Sequence, residues 1–110
     1  MQLLNLFTIA GDNGDEFHTP WVRAPQDYDR VEFWTDCKMF NATQFSIELE
    51  SSMDMTEEGA EGVTTNTITG KGVDIGEATS KIGAYLRLKI TIDSAAGYGV
   101  VSAWVLPKRA

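Results

Sequence analysis

The segment Gly83–Pro107, GAYLRLKITIDSAAGYGVVSAWVLP, decides the fold. In its first part Leu86, Leu88, Ile90 and Ile92 alternate with Tyr85, Arg87, Lys89 and Thr91. Successive side chains of a strand point to opposite faces, so this is a strand with one dry side. The second part, Val100–Leu106, is apolar at nearly every position, the pattern of a strand covered on both faces. Between them Asp93–Gly97 and Gly99 supply turn chemistry, so the two read as a β-hairpin.

Working outward, two more segments carry the same period. Val31, Phe33, Thr35 and Cys37 share one face of the strand Asp29–Lys38, and Glu32, Trp34 and Asp36 share the other. In Gln44–Glu50, Phe45, Ile47 and Leu49 alternate with Ser46, Glu48 and Glu50. Val63–Thr69 is β-branched and polar, the composition of an exposed edge. Val73–Ile75, flanked by Gly72 and Gly76, is a short strand or a turn. Phe17–Arg23 is extended, and Pro20, which lacks a donor, places it at an edge or a strand start; Ala24–Asp27 is a turn. Ser51–Gly62 is the most acidic and loop-like stretch, with room for one helical turn at Thr56–Ala60.

Leu3–Ala10 reads either as a first strand or as an arm laid on a neighbouring subunit. Residues 1–12 are therefore set apart as a candidate N-terminal arm of a single domain spanning 1–110. Turn signals at intervals near the ~8–12 residues of all-β folds give the expected architecture. It is an all-β, small antiparallel β-sandwich, jelly-roll-like, of about seven or eight strands.

Composition narrows the function classes. The net charge is -7, and the imbalance sits in the first half: residues 1–55 hold ten acids against three bases, residues 56–110 six against six. So acidic a chain lacks the Lys and Arg that displace counterions from phosphate backbones, which argues against nucleic acid as a partner. No apolar run approaches the ~20 residues of a membrane-spanning helix, and no membrane partner is expected. The opening MQLLNLFTIAG lacks a basic n-region and a cleavage site, so a cytosolic origin is the expectation. The lone Cys37 forms no internal disulfide.

Candidate chemistry is sparse. His18 and Cys37 are the one histidine and the one thiol, so a Cys–His dyad requires that they meet; more simply they are an edge-strand histidine and an apolar-facing cysteine. No nucleotide, serine-hydrolase or metalloprotease motif is present, and neither enzymatic activity nor a cofactor is expected. Asp54, Glu57, Glu58 and Glu61 are oxygen donors of the kind calcium takes, without the EF-hand spacing, and a solvated loop is the simpler reading. Trp21, Trp34 and Trp104, with Tyr28, Tyr85 and Tyr98, are the side chains from which a sugar-stacking surface is built, Trp34 foremost because it shares the face of Glu32 and Asp36. Large aromatics serve equally as core or as protein contacts.

FSIELESSMD (45–54), a middle rich in Gly and Thr, YLRLKITI (85–92) and SAWVLPKR (102–109) together resemble small β-sandwich structural proteins of tailed bacteriophages. The resemblance covers residues 45–109; the first 40 residues carry none of it. It implies a virion component without enzymatic activity: a capsid decoration (cement) protein that binds and stabilises the head lattice, or alternatively a tail or neck accessory protein. The implied partners are the major capsid protein or other virion proteins, with homo-oligomerisation, and the implied location is the virion, after synthesis in the host cytoplasm. Candidate assembly contacts are Leu3, Leu4, Leu6 and Phe7 of the opening segment, and Trp34. The alternative of another class is a carbohydrate-binding β-sandwich module.

Overall fold

A computed structural model of the chain describes residues 1–25, 30–78, 82–93 and 97–108. Gln26–Asp29 with Tyr28, the tip of the 93–97 turn, and Arg109 lie outside the described residues. Nine strands are described: β1 (Gln2–Gly11), β2 (Glu16–His18), β3 (Val22–Arg23), β4 (Arg30–Asn41), β5 (Phe45–Ser52), β6 (Glu61–Ile68), β7 (Gly72–Ala78), β8 (Tyr85–Ile92) and β9 (Gly97–Lys108). They form two antiparallel sheets, one in the order β1-β9-β4-β7 and one in the order β2-β8-β5-β6, with β3 also pairing with β8. This is the expected β-sandwich. The extended Phe17–Arg23 segment is split around Pro20 into β2 and β3, two short pieces on the same edge strand position, which accounts for the larger strand count.

One expectation is corrected. The strands of Gly83–Pro107 are not a hairpin: β8 lies in one sheet and β9 in the other. Their dry faces meet across the core instead of lying side by side. Leu86, Leu88, Ile90 and Ile92 of β8 are buried, as are Val101, Ala103 and Val105 of β9. Alternation fixes which side of a strand is dry but not which strand is its neighbour. Phe33 of β4 and Phe45, Ile47 and Leu49 of β5 complete the layer between the sheets. Gly99 is required there, since a Cβ at that position would stand 2.6 Å from the Phe45 ring.

The opening segment belongs to the chain's own sandwich. β1 pairs with β9 from Gln2↔Trp104 to Gly11↔Gly97, which turns Leu4 and Ile9 into the core. β6 is an edge strand, as its composition indicates, and it is fastened across the sandwich by a buried polar group. The amide nitrogen of Asn66 donates to Thr35 Oγ1 (3.1 Å) and to the carbonyls of Phe33 and Asp74 (both 3.2 Å). Gly76 allows that approach, because a Cβ there would fall 2.7 Å from Asn66 Oδ1. Thr56–Ala60 forms no helical turn; a single bond from Ala60 N to Glu57 O closes a tight turn there.

Candidate functional site

The outward positions of the four-stranded sheet carry the most unusual surface of the molecule. On β9 these are Tyr98, Val100, Ser102, Trp104 and Leu106; on β4, Glu32, Trp34, Asp36 and Met39; on β7, Val73, Ile75 and Glu77. The register sets Trp104 opposite Trp34 and Trp34 opposite Ile75, so two indoles and an isoleucine form one row across three strands. The next row is Ser102, Asp36 and Val73. Val73 and Ile75 are each 54% exposed and Met39 50%. Trp34, Asp36, Val73, Trp104 and Leu106 line a shallow depression of ≈ 330 Å³. The all-apolar pattern of β9 thus has one face in the core and one, from Tyr98 to Leu106, that is half-buried to exposed apart from Ser102.

At the sheet edge β1 bulges between Leu4 and Phe7, and Leu6 adopts a left-handed conformation (φ 48°) with its side chain 57% exposed. A non-glycine residue in that region costs about 1 kcal/mol or more. Leu6 N donates to Ser102 Oγ at 2.9 Å, which ties the bulge down over that serine and explains why Ser102 is buried despite its outward register.

The charges on this face are matched. Arg30 pairs with Glu77 (3.1 Å), Lys38 with Asp36 (2.7 Å) and Lys108 with Glu32 (3.3 Å). The Trp34 indole N–H also donates to Glu32 (3.3 Å), and this bond is the main reason that the Glu32 carboxyl is held below its ordinary range. Three carboxylates are balanced by three bases, and the surplus negative charge of the chain lies elsewhere.

The outer face of the second sheet is built differently. Its strands turn out Ser46, Glu48, Glu50, Thr65, Thr67, Arg87, Lys89 and Thr91. Arg87 is nevertheless buried: its guanidinium lies 4.4 Å from the Trp21 ring centre, and it donates to Glu50 and to Glu57, each at 2.8 Å. Burial by itself lowers the Arg87 pKa, but the bonds to Glu57 and Glu50 outweigh it and raise the value. Glu57 is in turn held below its ordinary range, first by that bond. Asp54 is lowered by hydrogen bonds from the Thr56 hydroxyl and backbone and then from Ser52. Two carboxylates of the acidic loop therefore have protein partners of their own, and among the described residues no three metal-ligating side chains converge.

Of the candidate assembly contacts, Leu6, Phe7 and Trp34 reach the surface. Leu4 is corrected to a core residue and Leu3 packs against that core, because β1 joins its own sheet. His18 and Cys37 do not meet: His18 lies on the outside of the second sheet, 3.9 Å from Glu50, and Cys37 points into the core from the first. Burial pushes the Cys37 thiol pKa up, the reverse of what activates a nucleophile. Of the tryptophans, Trp34 and Trp104 come together and Trp21 lies on the opposite face. Val73, Ile75 and Leu106 were missed as surface residues of a site. For Leu106 the signal was the unbroken apolar run of β9, read as a strand covered on both faces; for Val73 and Ile75 it was the period-two placing of two apolar residues on one side of a short segment.

No family profile and no curated protein matches this sequence. Solved structures do match. The chain is similar to PirA in its crystal structure, at 8% identity and a TM-score of 0.61, with 90% of this chain and 91% of that chain covered. It is similar to a CBM4 carbohydrate-binding module at 9% identity and a TM-score of 0.50, with 84% of this chain covered and 61% of that one. A chitosan-binding module from Paenibacillus sp. IK-5 is 20% identical, with a TM-score of 0.49 over 88% of this chain and 75% of that chain. At its identity the likeness to PirA shows the β-sandwich and nothing finer.

Proposed function

We propose that this chain is a non-catalytic structural subunit of a tailed-bacteriophage particle, a decoration protein that binds and stabilises the head lattice. One observation carries the reading: the outer face of β1-β9-β4-β7 is apolar, aromatic at its centre, and uncovered. Monomeric proteins seldom expose contiguous apolar patches beyond a few hundred Å², and larger ones mark contact surfaces. Tryptophan at the centre of such a face is the residue type that anchors protein contacts. The resemblance of residues 45–109 to virion sandwiches supplies the setting. The test is co-sedimentation of the purified chain with capsid shells of its own phage. Saturable binding to shells supports the proposal; no binding to shells, or binding to tail assemblies instead, contradicts it.

A second reading is favoured by the Trp34–Trp104 row with Asp36 beside it, two indoles lining one shallow depression with a carboxylate at its border. It is a carbohydrate-binding module, and it predicts that Trp34→Ala abolishes binding on a glycan panel that the unaltered chain retains.

A further inference from the structure

We infer that the partner on the outer face of the four-stranded sheet is a second copy of the same chain, packed sheet against sheet about a two-fold axis. This rests on the reading of the face as an assembly surface and names its occupant.

Charge is the first argument. At -7 the chain repels its own copies through most surfaces, and self-association is favoured only where that surplus is absent. The outward positions of this sheet carry Glu32, Asp36 and Glu77 against Arg30, Lys38 and Lys108, each acid already within an ion pair. A strongly basic partner gains little from so neutral a face. A copy of the same face meets no like-charge penalty, and each pair can exchange partners with its symmetry mate, as an isologous contact requires.

Pattern is the second argument. The Trp34–Trp104 pair lies on the two inner strands of the sheet. Ile75 lies level with that pair; towards one end of the face lies Leu106, and towards the other lie Val73, Met39, Val100 and Tyr98. A two-fold axis lying in the interface plane, along the strand direction and through the centre of the face, therefore sets each cross-strand row against its own copy and indoles near indoles. Two sheets stacked in this way lie within about 30° of alignment, with side chains interdigitating as in a sandwich core.

Area is the third argument. Four strands about 4.8 Å apart and up to twelve residues long, at about 3.3 Å each, give a face of roughly 15 by 40 Å. Full coverage buries about 600 Å² per copy and about 1,200 Å² in all, the lower end of specific interfaces. The dimer is therefore a reversible one.

The test is sedimentation velocity on the full chain over about 1 to 100 µM, a range that brackets the micromolar affinities of modest interfaces. The expected result is a shift from 12.1 kDa to twice that mass as concentration rises. Ile75→Glu, an exposed position on an outer strand, is expected to weaken dimerisation at least tenfold, while Thr65→Glu on the opposite sheet leaves it unchanged. The thermal transition of each variant, read at a concentration where the chain is monomeric, shows that both fold. A monomer at all concentrations overturns the inference, as does a trimer or larger species, or a dimer indifferent to Ile75→Glu. Shell binding is scored separately: a dimer that ignores shells overturns the virion role and leaves the dimer standing, and a monomer that binds shells does the reverse.

Discussion

The two outer faces of this sandwich solve the same problem in opposite ways. The β2-β8-β5-β6 face is polar and partly roofed by its own chain, with Trp21 and the acidic loop closing over Arg87. The β1-β9-β4-β7 face is apolar and open, its charges cancelled in pairs. One face is finished within the chain; the other, as proposed above, is finished by a partner. The lesson is that an outward strand position says little about exposure until it is known what crosses over it.

If the roofed face is self-sufficient, breaking it damages the monomer most. Arg87→Ala leaves Glu50 buried without its cation and removes the stacking partner of Trp21. Removal of one partner of a buried pair costs about 3 kcal/mol or more, so urea denaturation is expected to show a loss of that order. A loss within experimental scatter shows that this face is as open as the other.

Trp34→Ala sharpens the contrast from the open side. Emptying a core aromatic site costs ~3–5 kcal/mol, whereas an outward side chain costs about 1 kcal/mol or less. Monomer stability is expected to stay close to that of the unaltered chain while association falls. A core-sized loss makes Trp34 structural and removes the site.

Acidification reports on the roof and, through Glu32, on the open face; substitution of Glu57 isolates the roof. Asp54 and Glu57 are depressed in the folded chain, so their contribution is fully present above the ordinary carboxylate range and is lost as pH falls through the lowered values. Stability is expected to decline below that range, with a smaller decline in Glu57→Gln. The readout is the melting temperature from neutral pH downward; equal declines in the two proteins separate Glu57 from the effect.

Much of the fold was legible. The period-two rows of Leu86–Ile92, Val31–Cys37 and Phe45–Leu49 predicted their buried faces, because burial is what that period records. The neighbour relation of β8 and β9 was not legible, since two dry faces meet equally well across a core or side by side in a sheet. Arg87 read as a solvated residue because the chain that covers it, Trp21 and Glu57, is distant in sequence. Trp34 was found as a surface aromatic, but its partner Trp104 lay hidden in a run apolar on both faces.

The central claim is that the open face is covered when the protein is at work. Hydroxyl-radical footprinting of the chain, free at a concentration where it is monomeric and bound to its particle, tests it directly. Trp34, Trp104 and Met39 are expected to be strongly protected on assembly, while Met53 and Met55 of the acidic loop, on the other side of the sandwich, keep their reactivity. Equal labelling of Trp34, Trp104 and Met39 in the two states contradicts the account.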